Sequence, residues 1–576
     1  MKFEKKPLTI PEQIALLESR GMIIANKDKA AHYLTNISYY RLSAYWYTFL
    51  QTPKTDHKFQ ENTTFEKVID TYAKIQFALL DNLIVKASQE IKNNWVKVVK
   101  RLGKQKQSPI MFWRYSSLVF YDEVFKSFNQ LPFCQLNGEE VKRIFDAYLI
   151  INLEATNRIK IVESELLKAD EEGRVEDVTM ANFIHQKDYV STTELSNQIT
   201  RGYYFLNYLE SSDRYSKLVQ EYYKSIAVSG HIALLRNLVS IFGAFGDEMP
   251  KRKNLIDLRE AYLGKYVDLD YVRTISINES IEGYYIDSSF SLIRKKMLFR
   301  NDTFRFFLLD INFLIDQFYK AQVFAFYSFL KAQGIKDEFL SIKGKEFMED
   351  IYLRMVMDAC FPDYLRVYGN EAVATNGDEL CDVYLRDNNK ICLIEFKDVL
   401  LNADIKNDTD QDKLFGELDK KFVKNQKGKP KGITQLINAI EEIENNSVPF
   451  DTDLPNEPME IYPVIIYTDA TFEIEGLNKS YNLKFRQGIE NLSFKLLEIK
   501  DITFISLSYF ESHENYFSGK LLNLFDLINN YHEHIKQPEY DITTFEVFSR
   551  FYMSENIPEE LGMNLYDSVI TKISAL

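Results

Sequence analysis

One short segment constrains the fold of this chain more than any other. The apolar run 391–394 leads directly into Glu395 and Lys397, which are separated by a single residue. Side chains alternate between the two faces of a strand, so Glu395 and Lys397 share one face. Two charged groups at the end of an apolar strand are costly to bury unless they have a function. The segment therefore predicts a central strand that ends in a charged site.

Turn signals on either side of this segment predict a sheet. Asn376-Gly377 is typical of a tight hairpin, and Asp387-Asn388-Asn389 favours a second turn directly before the strand. The pattern predicts strands and helices in the order αβββαβ with one extra strand. The expected elements are a helix at 344–359, strands at 364–374, 380–385 and 390–397, a helix at 433–444, and strands at 462–468 and 502–508.

The rest of the chain divides by hydrophobic spacing. Apolar residues three and four apart predict a mostly α-helical region before the sheet, with helices at 75–91, 198–209, 215–227, 232–242 and 304–330. We therefore expect an α+β multidomain chain with a helical amino-terminal part. The expected units are a helical segment at 1–72, a helical region at 73–335, the mixed-sheet domain at 336–520 and a helical extension at 521–576.

Composition excludes several classes of protein. The chain has 576 residues and a formal net charge of −14, which argues against a histone-like nucleic-acid binder but permits a local basic groove. The four cysteines form no Cys-x-x-Cys pair, so neither a disulfide framework nor a cysteine zinc site is expected. No signal peptide or run of about 18 apolar residues is visible. We expect a cytoplasmic protein without a membrane partner.

The hairpin also positions a second carboxylate. It brings Asp382, near the start of the second strand, beside the end of the third, so that Asp382, Glu395 and Lys397 converge. Neighbouring carboxylates repel unless a cation lies between them, and oxygen ligands suit Mg²⁺ or Mn²⁺. Such an ion activates water and offsets charge on a phosphate, and the lysine adds a further cation. This arrangement suits the hydrolysis of phosphodiester bonds.

A simpler interpretation stays open for each of these residues. Asp382 could be a surface residue at a strand start, and Glu395 and Lys397 an exposed ion pair of little energetic value. Glu-x-Lys alone is uninformative, because it recurs at Glu4, Glu90, Glu140 and Glu498. Those copies lack a preceding hairpin with a suitably placed Asp.

The order of elements, with Asp382 followed by Glu395 and Lys397, resembles the PD-(D/E)XK nuclease superfamily over about 336–520. The resemblance implies a restriction-endonuclease-like fold, with Asp382 and Glu395 as metal ligands and Lys397 as a catalytic residue. Cys381 stands where the name motif of the family has Pro. In this family an acidic residue of the first helix often joins the metal site. Glu349 is our choice, with Glu346 as the alternative.

Two further features follow from the region after the third strand. Gln435, at the start of the next helix, resembles the supplementary catalytic Gln of several families in the superfamily, although an ordinary helix-surface amide is an equal interpretation. The polar stretch 398–431 predicts a long loop. Its lysines would contact phosphates without sequence preference, or simply be solvated. The candidate contacts are Lys424, Lys427, Lys429 and Lys431.

The amino terminus resembles a different family. The matching motifs lie in the stretches 8–14, 19–22, 32–34, 39–43 and 59–66, and they are similar to the opening of the AbiD/AbiF-type abortive-infection proteins. The resemblance covers about residues 1–72 and fades after Tyr72. It implies a HEPN-related helical body and a role in phage resistance. The Arg-x4-His ribonuclease motif of that family is absent, because no His in the chain has Arg five positions earlier.

Together these features predict a divalent-metal-dependent nuclease of bacterial anti-phage defence, with DNA favoured over RNA as the substrate. The alternative is a nucleic-acid-binding, toxin-like helical protein whose nuclease fold is an inactive scaffold. A second copy of the chain and a trigger molecule are further partners that the sequence leaves open. The aromatic segment 39–47 is expected to pack in a core or, alternatively, to stack on nucleic-acid bases.

Overall fold

The structure, a computed structural model, describes residues 8–36, 49, 51, 58–69, 114–126, 138–159, 180–181, 184, 187, 194–248, 255–277, 287, 289–335, 338–407, 411–445, 448–454, 458–557 and 561–574. The predicted helix at 75–91 and the aromatic segment 39–47 lie outside these residues. Within them the chain is α+β, with a helical amino-terminal part and mixed sheets, as predicted.

The amino-terminal part is built from amphipathic helices. Thr9, Pro11 and Glu12 start the first of them, and the backbone N–H of Thr9 donates to Glu12 Oε2 over 2.7 Å. The helical predictions at 198–209, 215–227 and 232–242 are confirmed. The helices here are Ile10–Ser19, Lys27–Asn36, Arg114–Lys126, Gly138–Ile159, Leu195–Ser211, Ser216–Ser225 and His231–Glu248.

A small sheet interrupts this helical region, and sequence patterning missed it. Its strands are β1 (Leu255–Asp257), β2 (Ser276–Ile277), β3 (Leu298–Arg300) and β4 (Arg305–Leu308), in the order β1-β4-β3-β2. The predicted helix at 304–330 is therefore wrong at its start, although helices Ile311–Asp316 and Lys320–Ala332 follow. Asp310 explains the change, because its carboxylate accepts the N–H of Phe313 over 2.9 Å and caps the helix there. Short helices at Arg259–Leu263, Leu269–Thr274 and Ser291–Lys295 complete the region.

The large sheet has the predicted element order. Its strands are β5 (Leu365–Tyr368), β6 (Val383–Asp387), β7 (Lys390–Lys397), β8 (Met459–Tyr467), β9 (Leu497–Ile499) and β10 (Thr503–Ser506), in the order β10-β8-β7-β6-β5 with β9 beside β8. Strand β7 is central, antiparallel to β6 and parallel to β8, which confirms the first inference from its sequence. The short strand β9 was not predicted. Strand β5 is shorter than expected, because the chain turns at Gly369, whose φ is +38°.

Helices cover the large sheet on both faces. A π-helical stretch, Lys343–Leu353, continues into the α-helix Arg354–Cys360 and precedes β5. The polar stretch 398–431 is not a long loop as expected. It holds helices Ala403–Asn407 and Gln411–Phe422, since Leu414, Leu418 and Phe422 bury an apolar face. The other helices are Phe339–Ile342, Ile433–Glu444, Leu477–Ile489, Leu507–Ser518, Leu524–Ile535, Phe545–Asn556 and Asn564–Ser574.

The two faces of β7 enter different cores. Cys392 and Ile394 belong to a core that continues into the helical region, whereas Ile391 and Leu393 pack on the side of helix Ile433–Glu444. The core therefore runs across the expected boundary at residue 335 and includes the carboxy-terminal helices. Among the described residues, no helix is long and apolar enough to cross a membrane.

Candidate active site at the end of strand β7

The end of β7 carries a buried ion pair. Lys397 Nζ donates to Glu395 Oε2 over 2.6 Å, and both side chains are almost fully buried on the same face of the strand. Asp382 lies directly before β6, where its Oδ2 accepts the backbone N–H of Phe396 over 2.7 Å. The hydrogen bond holds this carboxylate beside the end of β7. The structure thus brings Asp382, Glu395 and Lys397 together at one end of the hairpin.

A carboxylate cluster lies next to this pair. Glu349, Glu379 and Asp382 each present a carboxylate oxygen, and the three oxygens lie within 4.8 Å of one another. Glu349 comes from the π-helical stretch, and Glu379 and Asp382 come from the segment directly before β6. Two separate pieces of backbone therefore deliver oxygen ligands to one point, which is the donor set that Mg²⁺ and Mn²⁺ prefer.

Burial and neighbouring negative charge raise the pKa values of two carboxyl groups at this site. Burial and the neighbouring Asp382 raise the pKa of Glu349 to about 7. Burial and the same Asp382 raise the pKa of Glu395 to about 8, against the opposing effect of Lys397. Both carboxyl groups would release their protons more readily beside a cation. The electrostatics therefore favour a positively charged ligand at this point.

Lys345 supplies part of the missing positive charge. Its ammonium pairs with Glu349 one helical turn away and lies 3.9 Å from Glu379. Asp350 lies 3.5 Å from the same ammonium. With every group ionised, five carboxylates and two lysines leave three negative charges. The carboxylates are Glu349, Asp350, Glu379, Asp382 and Glu395, and the lysines are Lys345 and Lys397. A divalent cation would offset most of that excess.

The two acidic residues considered on the first helix take different positions. Glu349 joins the cluster, whereas Glu346 accepts a hydrogen bond from the hydroxyl of Tyr208 over 2.7 Å, toward helix Leu195–Ser211. The geometry thus selects Glu349 over Glu346 as the acidic group of this helix that can reach a shared ion.

Gln435 contacts the site directly. Its Oε1 accepts from Lys397 Nζ over 3.3 Å and from the backbone N–H of Gly432 over 2.9 Å. The second bond fixes the amide at the start of helix Ile433–Glu444, so that the side chain faces the ammonium. Gln435 is therefore placed to orient Lys397.

The four candidate phosphate-contacting lysines lie on one small turn. Asn425 accepts the backbone N–H groups of Lys427 and Lys429, and Lys424, Lys427 and Lys429 are exposed. Lys431 is half-buried and directly precedes Gly432. The turn therefore leads into the helix that carries Gln435, and its cations are accessible to a ligand in solvent.

Sequence reasoning missed Glu379 and Lys345. Glu379 lies in a loop held by an isolated bridge to Val373, which no strand pattern indicates. The Asn376-Gly377 turn could have indicated this position, because a tight turn there brings Glu379 back toward the preceding strand. Lys345 had a clearer signal, since it stands four residues before Glu349 on a helix.

Comparison with known proteins concerns a different part of the chain. Residues 32–159 match a family described as Abi-like protein. The match supports the Abi-like resemblance of the amino-terminal part, and it extends past Tyr72, where we expected it to fade. No curated protein and no solved structure matches the chain. All the side chains of the carboxylate cluster lie outside the matched segment.

Proposed function

We propose that this chain is a divalent-metal-dependent nuclease that hydrolyses phosphodiester bonds, cuts DNA in preference to RNA, and acts in anti-phage defence in the bacterial cytoplasm. One observation carries the proposal. One carboxylate of the π-helical stretch and two of the segment before β6 meet within 4.8 Å, beside a buried lysine at the end of a central strand. Carboxylates that meet at one point repel one another unless a cation lies between them, so this arrangement favours a bound metal ion.

Mg²⁺ or Mn²⁺ would be held by Asp382, Glu349 and Glu379, with Glu395 beside them. When bound, the ion would lower the pKa of a coordinated water molecule and offset negative charge on a phosphate. The donor set fits this ion, because the ligands are all carboxylate oxygens and carboxylates outnumber lysines around them.

Residues other than the metal ligands would position water and bind the substrate. Lys397 is the cation that would position water or stabilise negative charge developing on the phosphate. Gln435 holds the ammonium from one side and Glu395 from the other, so its direction is fixed. The exposed lysines of the 424–431 turn would attract the backbone of the nucleic acid without reading its sequence.

The element order supports assignment of the carboxy-terminal domain to the restriction-endonuclease-like fold of the PD-(D/E)XK superfamily. A helix precedes three strands, the acidic residues and lysine lie on the second and third of them, and a helix with Gln435 follows. The Abi-like match supports the defence role. The helical region would then sense the infection or restrain the nuclease, which rests on family analogy.

The test is cleavage of supercoiled plasmid, linear duplex, single-stranded DNA and RNA, each with Mg²⁺, Mn²⁺ or EDTA. We expect metal-dependent cutting by the unmodified chain that is lost in Asp382→Ala and in Lys397→Ala. Glu346→Gln is the matched control, because Glu346 lies on the same helix as Glu349 but outside the cluster. Cutting that survives both substitutions would refute the assignment of these residues.

A second function has one observation in its favour. Glu395 is paired with Lys397 in a closed, buried contact, which also suits an inactive scaffold in a nucleic-acid-binding defence protein. The same substrates separate the two. Binding that is indifferent to metal and to Asp382→Ala, without any cutting, would support the binding protein instead.

A further inference from the structure

A large cavity lies beside the candidate active site without including it. Its volume is about 1690 Å³, above the range of roughly 300–1,000 Å³ common for ligand pockets. It lies between the helical region and the large sheet. None of the carboxylates of the cluster lines it, nor does Lys397 or Gln435. It is therefore a separate candidate binding site.

The floor of the cavity is formed by the carboxyl ends of the parallel strands. Asp398 follows β7, Thr468 follows β8, and Ser506 ends β10. In open sheets, ligands bind in the crevice outside the carboxyl ends of parallel strands. The topology therefore favours a small ligand at this position.

One wall is cationic. Arg294, Lys295 and Lys296 line it, and Lys320 lines the cavity as well. Gln317 Nε2 donates to the carbonyl of Arg294 over 2.9 Å, and the Arg294 side chain lies 3.7 Å from Asp316.

Ten Lys and Arg side chains and six Asp and Glu side chains line the cavity. Arg114 and Arg201 pair with Asp310 and Glu511, which lie outside the lining. The other eight cations still outnumber the six carboxylates, although the whole chain has a net charge of −14. This local reversal of charge favours an anionic ligand.

The lining also includes a buried acceptor and an exposed aromatic ring. Glu546 lines the cavity and is 9% exposed, and its Oε2 has no hydrogen-bond partner among the described residues. A buried acceptor without a partner is costly and indicates a missing donor. Phe324, 37% exposed, also lines the cavity, one helical turn after Lys320. An exposed aromatic face of this kind accommodates a planar base.

The cavity connects to the candidate active site through one ion pair. Lys343 Nζ pairs with Asp398 and lies 3.3 Å from the hydroxyl of Tyr319, and all three residues line the cavity. Asp398 directly follows Lys397 in the chain. Lys343 is on the same π-helical stretch as Glu349. The pair is therefore joined through the backbone to both Lys397 and the stretch that carries Glu349, so a ligand that alters it acts on both.

We propose that the cavity binds a nucleotide, with its phosphates against the cationic wall and its base and ribose toward Phe324 and Glu546, and that the bound nucleotide regulates the nuclease site through the pair Lys343–Asp398. The proposed nucleotide binding depends only on the features of the cavity, whereas the proposed regulation rests on the proposed nuclease function.

Binding is tested by isothermal titration calorimetry of the full chain, in EDTA, with ATP, GTP, CTP and UTP, and with adenosine and inorganic triphosphate as partial ligands. We expect at least one nucleotide to bind more tightly than either partial ligand. The variant Lys295→Ala/Lys296→Ala should weaken that binding at least about tenfold. The control Lys217→Ala/Lys536→Ala removes the same charge from exposed positions outside the cavity and should leave the dissociation constant unchanged. The absence of binding by all four nucleotides, or equal binding by the two double variants, would overturn the proposal.

Regulation is tested by the cleavage rate at a fixed concentration of free Mg²⁺, with and without the nucleotide that binds. We expect the rate to change at least about threefold in the unmodified chain. Asp398→Asn keeps the shape of the side chain but removes its charge, so this variant should bind the nucleotide and lose the response. A rate indifferent to bound nucleotide would overturn the regulatory step. A chain that binds nucleotide but cuts no substrate would instead count against the proposed nuclease function.

Discussion

Two buried glutamate–cation pairs in this molecule differ in their surroundings. The carboxylate of Glu511 accepts two hydrogen bonds from Arg201, of 2.8 and 2.6 Å, and a third from the hydroxyl of Tyr352. Among the described residues, the carboxylate of Glu395 accepts a side-chain hydrogen bond only from Lys397, and Asp382 adds negative charge nearby. The first pair is balanced and joins helix Leu195–Ser211 to helix Leu507–Ser518. The second belongs to a group with excess negative charge, which is typical of a site that takes up a cation.

The largest expected effect concerns stability at the balanced pair. Arg201→Met leaves Glu511 buried without its cation, so we expect the free energy of unfolding to fall by about 3–5 kcal/mol. Lys397→Met should cost much less, because Glu395, whose pKa is raised to about 8, then holds a proton at neutral pH. Urea denaturation of both variants at pH 7 measures the difference. Adding Glu511→Gln to Arg201→Met should restore part of the loss, and equal losses in the two single variants would contradict the comparison.

The difference between the two pairs also explains what sequence could reveal. The alternation along β7 and the two turn signals are local, so the central strand and the approach of Asp382 to Glu395 and Lys397 followed from them. The pair Arg201–Glu511 joins residues 310 positions apart, and no local pattern indicates it. The small sheet β1–β4 escaped notice for a related reason, since its strands have only two to four residues. Glu379 was missed because its loop is positioned by tertiary closure.

The next effect is a pH dependence at the cluster. The pKa of Glu349 is raised to about 7 in the folded chain, so the folded state holds a proton that the unfolded state has released between about pH 4.5 and 7. Stability without metal should therefore fall as pH rises through that interval. Each unit of pKa shift corresponds to about 1.4 kcal/mol.

Urea denaturation in EDTA at pH 5 and pH 8 tests this dependence. We expect Glu349→Gln to lose stability over that interval less than the unmodified chain does, and Glu346→Gln to behave like the unmodified chain. Mg²⁺ should reduce the loss in the unmodified chain, because it replaces the proton. The same pH dependence in all three proteins would show that the pKa of Glu349 is not raised in the folded chain.

A smaller effect is expected at Gln435. The amide positions Lys397 and touches no carboxylate of the cluster, so Gln435→Ala should lower kcat about tenfold, which is about 1.4 kcal/mol, with little change in KM. Steady-state cleavage of the best substrate measures both constants. A rise in KM at constant kcat would place Gln435 in substrate binding instead.

The smallest effect concerns the exposed lysine turn. Lys427→Ala/Lys429→Ala should lower the slope of log K against log salt for duplex DNA by about 2, since each phosphate contact contributes about 0.9. Thermal stability should not change, because both side chains are exposed. Lys217→Ala/Lys536→Ala is the control for net charge. An unchanged slope would show that this turn does not touch the nucleic acid.

The most direct test of the proposed site is a Mn²⁺ titration followed by electron paramagnetic resonance, on the unmodified chain, Asp382→Asn and Lys397→Met. Asp382 belongs to the carboxylate cluster, whereas Lys397 is a cation beside it. We expect Asp382→Asn to weaken Mn²⁺ binding at least about tenfold, a loss of about 1.4 kcal/mol. Lys397→Met should bind Mn²⁺ at least as tightly as the unmodified chain and yet fail to cut. Equal Mn²⁺ affinity in Asp382→Asn and the unmodified chain would contradict a metal site at the end of β7.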